Sequence, residues 1–109
     1  MSLHHIVIGD GYPIVMLHGW TLDHQVMLHA MEPLFEKRSG MKRIYIDLPG
    51  MGHSESQPSI QNSDNILVAI LRLLDEIIPG QPFIICGYSY GGYIARGIVH
   101  SRQDTVRGL

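Results

Sequence analysis

Short apolar-rich runs alternate along the chain with longer stretches in which apolar residues recur every three or four positions. The runs cover residues 4–8, 14–17, 43–48 and 83–86, and each is predicted to form a strand. The run at 14–17 is apolar throughout, as expected of a strand that is covered on both faces. The Gly-Asp-Gly sequence at 9–11 is a turn signal, which predicts that the first strand ends in a hairpin-like loop.

The clearest helix is predicted over residues 63–78. Ser63 or Asp64 can cap its first turn, and the proline and glycine at positions 79–80 end it. Its apolar residues recur at helical spacing. They are Ile66, Ile70, Leu73, Leu74, Ile77 and Ile78.

Two further helices are predicted, over residues 32–38 and 90–102. The first opens with a glutamate and a proline, and proline is tolerated in a first helical turn. Residues 22–31 have a mixed pattern and are assigned to no element. Residues 105–109 resemble the opening of another strand.

Strands that alternate with helices predict an α/β fold with a mostly parallel sheet and flanking helices. In such sheets ligands bind outside the carboxyl ends of the strands. Three segments follow predicted strands at this edge: His18-Gly19-Trp20, Asp47-Leu48-Pro49-Gly50 and the segment around Ser89. We therefore expect three motifs that are distant in sequence to converge on one edge of the sheet.

Composition narrows the class of partner. The chain has 109 residues, a formal net charge of −2 and no basic run or face, so neither nucleic acid nor an anionic membrane is an expected partner. No apolar stretch approaches the roughly 20 residues that a membrane span needs, and no secretory signal pattern is visible. The single cysteine, Cys86, cannot form an internal disulfide and is expected to be buried in its strand. These features predict a reduced, cytoplasmic protein.

The pattern Gly87-x-Ser89-x-Gly91 places a serine between a predicted strand and a predicted helix. Glycines on both sides allow strand and helix to approach closely, and the sharp turn exposes the serine hydroxyl at the end of the sheet. The backbone N–H of Tyr90 then lies at a helix N-terminus, where an oxyanion could bind. The glycines lack the lysine and the spacing of a phosphate-binding loop, and no cofactor is predicted.

Together with His18-Gly19-Trp20 and the segment 47–54 (Asp-Leu-Pro-Gly-Met-Gly-His-Ser), this turn resembles the three N-terminal landmarks of the α/β-hydrolase fold family, in its serine-nucleophile esterase, lactonase and carbon–carbon hydrolase branch. The resemblance implies that Ser89 is the nucleophile. It also implies that the N–H groups of Trp20 and Tyr90 form the oxyanion hole and that His18 and Gly19 support the oxyanion loop. Gly87 and Gly91 would be the glycines of the nucleophile elbow, which is the sharp turn that carries the serine.

The family's catalytic triad runs in the chain order serine, acid, histidine. Only His100 and Asp104 follow Ser89, and a helix over 90–102 would hold His100 about 15 Å from the serine. The expectation is therefore that residues 1–109 are a partial α/β-hydrolase domain, the N-terminal half, without the acid- and histidine-bearing half and the lid. Such a fragment is expected to be inactive or to retain trace esterase activity. Two alternatives stay open: a lyase of the same fold, and a non-catalytic half-domain that assembles with a partner chain.

For the other polar residues, structural roles are predicted in place of catalytic ones. His18 as a surrogate base is an alternative to its role in the oxyanion loop. Asp47 and His53 belong to the loop after the third strand, where the resemblance implies structural roles, with Asp47 fixing the turn. The remaining upstream histidines show no ligand spacing with cysteine or carboxylate, so they are predicted to be solvated or packed, and no metal site is predicted. They are His4, His5, His24 and His29. The expected partners are a small-molecule carbonyl substrate and further copies of the chain, through an exposed sheet edge or swapped elements.

Overall fold

The computed structural model describes residues 3–109; residues 1 and 2, with which the predicted domain begins, lie outside the described residues. Five strands form one sheet in the order β1-β3-β2-β4-β5, and every neighbouring pair except β1–β3 is parallel. The α/β fold with a mostly parallel sheet is therefore confirmed. The strands are β1 (His5–Ile8), β2 (Tyr12–Leu17), β3 (Met41–Ile46), β4 (Phe83–Gly87) and β5 (Val106–Gly108).

The hairpin suggested by the turn at 9–11 does not form. β1 pairs antiparallel with β3, where His5 lies opposite Ile46. The reason is that both edges of β2 are already occupied by β3 and β4 in parallel register, so that only the outer edge of β3 is open to β1. The glycines at both ends of the turn have positive φ, and the chain passes through them without pairing β1 to β2.

The helices are α1 (His24–Met31), α2 (Ser63–Ile77) and α3 (Tyr90–Ser101), with a 3₁₀ turn at Glu32–Phe35. The unassigned segment 22–31 contains α1, whose first turn is capped by Asp23 through a bond from the Gln25 N–H. The helix predicted over 32–38 is wrong. Pro33 has no N–H and would clash with a carbonyl one turn earlier, so the α-helix ends before it and only the 3₁₀ turn continues.

The N-cap of α2 also differs from the prediction. Asn62, not Ser63 or Asp64, adopts the extended cap conformation, and its side chain accepts a hydrogen bond from the Asn65 N–H at 2.9 Å. The Ser63 hydroxyl is instead bonded to the Tyr90 hydroxyl at 2.6 Å. This bond ties the first turn of α2 to the start of α3.

The core has two layers, one on each face of the sheet. Val15 and Leu17 of β2 pack towards α2 and α3, whereas Ile14 and Met16 pack towards α1. All four are buried, so the prediction of a strand covered on both faces is confirmed. Cys86 lies on the α1 side of the sheet and is only partly buried, whereas the sequence predicted a buried position. Even this partial burial raises the pKa of its thiol.

A set of hydrogen bonds between side chains joins the 3₁₀ turn to β3. The Glu32 carboxylate accepts two hydrogen bonds from the Arg43 guanidinium, at 2.6 and 3.0 Å, and a third from the Tyr45 hydroxyl. The bond from Arg43 is the main reason that the pKa of Glu32 lies below its ordinary value.

Within residues 3–109, no helix combines the length and the apolarity needed to cross a bilayer.

Candidate active site

Ser89 occupies the turn between β4 and α3 in a backbone conformation that few residues adopt. Its φ is 53° and its ψ is −115°, and its side chain is exposed. Thr21 is the only other non-glycine residue with positive φ in the described part of the chain. Such a conformation costs on the order of 1–3 kcal/mol and persists only where the surrounding structure imposes it.

The two glycines beside Ser89 are required by close backbone contacts. A Cβ on Gly91 would overlap the carbonyl oxygens of Leu17 and His18, and a Cβ on Gly87 would lie 2.5 Å from the carbonyl oxygen of Gly91. These obstacles are backbone atoms, which cannot move aside as a flexible side chain can. The turn therefore packs directly against the end of β2, with the Tyr88 N–H donating to the Leu17 carbonyl at 3.0 Å.

The loop after β2 brings Trp20 beside Tyr90. Their rings meet edge to face with centroids 5.1 Å apart, and Gly19 leaves room for the Tyr88 ring, which a Cβ would approach to 3.1 Å. Tyr90 is the first residue of α3, so its N–H belongs to the helix N-terminus, where backbone donors have no intrahelical acceptor. The structure thus brings together the two residues that sequence analysis assigned to the oxyanion hole.

His18 is buried, and both of its ring nitrogens are engaged. Nδ1 lies 2.7 Å from the Gly19 carbonyl oxygen, and Nε2 accepts a hydrogen bond from the Leu48 N–H at 3.0 Å. Because a backbone N–H can only donate, Nε2 is the acceptor and Nδ1 carries the proton. No lone pair is left to take a proton from a serine, which disfavours the surrogate-base alternative. His18 instead joins the loop after β2 to the loop after β3.

His100 lies in the last turn of α3, and Asp104 lies in the turn that follows. Ser89 is at the opposite end of the same helix, and both His100 and Asp104 are exposed. At 1.5 Å per residue, the helix separates His100 from Ser89 by about 15 Å. Neither residue is placed to complete a triad.

A groove of about 790 Å³ opens beside the serine turn. Trp20 and Tyr90 line it on the side of the turn, and Met51, Ile60 and Ile66 contribute apolar surface from the loop after β3 and from α2. A mostly apolar groove with a few polar groups is typical of a small-molecule site.

Asp47, at the carboxyl end of β3, is fully buried and accepts four hydrogen bonds. Oδ1 accepts from the N–H of His24 at 2.7 Å and lies 2.8 Å from its Nδ1. Oδ2 lies 2.7 Å from Nδ1 of His4 and accepts from the N–H of His53 at 3.0 Å. Sequence analysis missed this cluster because the carboxylate that faces His4 and His24 is 43 and 23 positions away from them.

The hydrogen bonds lower the pKa of the Asp47 carboxyl despite its burial. Burial alone would raise the pKa of the carboxyl, but the bonds from the N–H groups of His53 and His24 and from the rings of His24 and His4 outweigh it. The result is a pKa lowered from 3.8 to about 2. Asp47 is therefore an anion at every pH at which the protein is ordinarily handled.

We expect the stability of the fold to depend on pH below about 4 through Asp47. Because its folded pKa is depressed, its contribution is complete above the unfolded value of 3.8 and is lost as the pH falls from there to about 2. A shift of this size corresponds to about 2.5 kcal/mol. Urea unfolding at several pH values in chelator-treated buffer measures it. Asp47→Asn should flatten the pH dependence by this amount, and Asp10→Asn, at an exposed position in the turn after β1, serves as the control.

A mostly parallel sheet that presents a serine on a strained turn between a strand and a helix, beside a groove, defines the architecture of an α/β-type hydrolase. The model of the family described as the alpha/beta hydrolase fold matches residues 12–109. The chain therefore belongs to the α/β-hydrolase fold family.

Similar proteins support this assignment. The pimeloyl-acyl-carrier protein methyl ester esterase of Shewanella woodyi is 35% identical over 108 residues, which are 99% of this chain and 38% of that protein. The 2-succinyl-6-hydroxy-2,4-cyclohexadiene-1-carboxylate synthase of Salmonella typhimurium is 37% identical, with coverage of 87% and 36%. The crystal structure of an alpha/beta superfamily hydrolase from Oenococcus oeni superposes with a TM-score of 0.87 at 39% identity, with coverage of 97% and 42%. The chain spans about two fifths of the length of these relatives.

Proposed function

We propose that residues 1–109 are the N-terminal part of a serine hydrolase that cleaves an ester, a lactone or a carbon–carbon bond next to a carbonyl, through an acyl-enzyme on Ser89. The observation that carries the proposal is the strained, exposed position of Ser89 at the start of α3. The esterase from Shewanella woodyi supports an ester among the candidate substrates.

Trp20 and Tyr90 supply the oxyanion hole in this proposal. Their N–H groups would bind the oxygen that becomes negative when Ser89 attacks the carbonyl, and each such donor is worth about 3 kcal/mol in the transition state. The adjacent groove would hold the acyl or leaving group of a small carbonyl substrate. His18, Gly19, Gly87 and Gly91 would hold loop and turn in place, and no cofactor is required.

The acid and the histidine of the triad come from outside residues 1–109 in this proposal. A serine hydroxyl is a weak nucleophile until a positioned base accepts its proton. His18 has no free lone pair, and His100 is at the far end of α3. The 109 residues by themselves are therefore proposed to be inactive or to show only trace esterase activity.

The test starts from the reading frame that encodes the chain. If the frame continues past Leu109 into an acidic residue and a histidine, the longer protein should hydrolyse esters or lactones and should react with a fluorophosphonate. The mass increase should map to the peptide that contains Ser89, and residues 1–109 alone should remain unlabelled. Labelling at another serine, or none in the longer protein, would contradict the proposal. A frame that ends at Leu109 would favour the alternative in which a partner chain supplies the acid and the histidine.

A lyase of the same fold is the second candidate. It is favoured by the 37% identity to a protein named as a synthase, from Salmonella typhimurium. Product analysis separates the two: a hydrolase incorporates oxygen from ¹⁸O-labelled water into its product, whereas a lyase releases product without it.

We further propose that residues 1–109 by themselves self-associate through the outer edge of β5. Among the described residues, β5 pairs only with β4 and forms the end of the sheet, and an open edge invites pairing with another strand. Size-exclusion chromatography with light scattering should show a dimer or a larger assembly. A stable monomer over a wide concentration range would contradict this. The cytoplasmic location expected from sequence stays a prediction.

A further inference from the structure

Three histidines surround one buried carboxylate at the carboxyl edge of the sheet. One ligand atom from each of His4, His24, Asp47 and His53 can be chosen so that all four lie within 4.8 Å of one another. The ring nitrogen Nδ1 faces the Asp47 carboxylate at 2.7 Å in His4, 2.8 Å in His24 and 3.7 Å in His53. We refer to these four residues as the histidine–aspartate cluster.

The cluster is held rigidly on its inner side and is open on its outer side. The main chain of His4 is fixed to β3 and to the following loop, because its carbonyl accepts from the Asp47 N–H and its N–H donates to the Ser54 hydroxyl, both at 2.9 Å. The side chains of Asp47 and His24 are 0% and 7% exposed, whereas that of His53 is 67% exposed. An ion could therefore enter past the His53 ring and meet ligand atoms that are already oriented.

We propose that the histidine–aspartate cluster binds a divalent transition-metal ion of the zinc type, with the three Nδ1 atoms and one carboxylate oxygen as ligands. Imidazole and carboxylate together suit Zn²⁺, which binds four such ligands tetrahedrally at about 2.0–2.2 Å. Tetrahedral ligands at that distance lie about 3.3 Å apart. The four ligand atoms lie within 4.8 Å of one another and must move closer together on binding, and the His53 ring is the most exposed of the four side chains.

Proton positions are consistent with this site. In the metal-free cluster the Nδ1 protons of His4 and His24 point at the carboxylate, and when the metal bonds to Nδ1 each neutral ring carries its proton on Nε2.

The proposed role of the ion is structural and goes beyond hydrolysis. The four ligands come from the segment before β1, the start of α1, the end of β3 and the loop after it. One ion would join these separate segments at the edge that also presents Ser89. Because the ion binds the folded state, added metal should raise the unfolding temperature, by an amount that grows with the logarithm of the ratio of free metal concentration to Kd.

The experiment is titration of the chelator-treated protein with Zn²⁺ by calorimetry, together with Co²⁺ absorption and thermal unfolding. We expect one ion per chain, the intense visible bands of tetrahedral Co²⁺, and a melting temperature that rises with Zn²⁺. His53→Ala changes an exposed side chain and should weaken binding tenfold or more, since even outer partners of metal ligands cost about 10–100-fold. The matched control is His29→Ala, an exposed histidine in α1 outside the cluster, which should bind as the unchanged protein does.

The proposal is overturned if the unchanged protein binds no Zn²⁺, or if His53→Ala and His29→Ala bind it equally. In either case, lower stability of a His4→Ala variant in chelator would assign the cluster a purely hydrogen-bonding role. Circular dichroism of each variant before titration distinguishes loss of the site from loss of the fold.

Discussion

Replacing Ser89 by alanine is expected to lower ester hydrolysis by about five orders of magnitude in the longer serine hydrolase proposed above. The loss is large because the variant has no atom on which an acyl group can form, while the oxyanion donors and the groove remain. Initial rates with an activated ester, together with fluorophosphonate labelling, measure the effect. A decrease of less than tenfold would remove Ser89 from the mechanism. Ser101→Ala, at the exposed far end of α3, serves as the control and should retain full activity.

Replacing Ser89 by glycine separates the effect of backbone strain on stability from the effect of losing the proposed nucleophile on activity. Glycine adopts the φ of 53° at little cost, so Ser89→Gly should be as inactive as Ser89→Ala and yet more stable than the unchanged protein by about 1 kcal/mol. Ser89→Ala keeps a Cβ and keeps the strain. Equal urea midpoints for the two variants would mean that the turn stores no strain.

Gly91→Ala is expected to destabilise the fold by about 1–3 kcal/mol. Its Cβ would overlap the carbonyl oxygens of Leu17 and His18, and relief requires α3 to move away from the end of β2. The same movement would displace the N–H of Tyr90 from the loop that carries Trp20. Urea unfolding monitored by circular dichroism measures the loss of stability.

The adjacent glycine provides a matched control. A Cβ on Gly92 would have its nearest neighbour at 3.4 Å, which is an ordinary contact. Gly92 lies within α3, where alanine is favoured over glycine by about 1 kcal/mol. Gly92→Ala should therefore be neutral or stabilising. If both variants lost stability equally, the backbone contact at Gly91 would not be the cause.

The fold was predictable where the sequence pattern is determined by burial. The run at 14–17 is apolar at every position because both faces of β2 are covered, and the spacing from Ile66 to Leu74 follows the single face that α2 buries. The prediction failed where local chemistry decides the outcome. α1 has a mixed sequence because much of its surface faces solvent, and Pro33 ends an α-helix whose start was not recognised.

The candidate site shows the same division. Ser89, Trp20 and Tyr90 are recognisable because the strand ends and the glycines around them leave a local pattern. The environment of Asp47 is not recognisable in this way, because its partners His4 and His24 are brought to it only by the pairing of β1 with β3 and by the position of α1. A useful signal was the buried end of β3, Ile44 to Ile46, which leads into Asp47, since a carboxylate at the end of such a strand must find donors when it is buried.

The strand order has a consequence for synthesis on the ribosome. β2 is the middle strand, but its partner β4 is made much later, and Leu17 pairs with Gly87. At about 5–20 residues per second, β2 waits about 4–14 s for this partner after it has been translated. During that time β2 can pair along only one of its two edges, with β3, and the edge that β4 later occupies is unprotected. We therefore expect the nascent chain to bind chaperones that recognise short apolar segments until β4 emerges and the turn at Ser89 packs against β2.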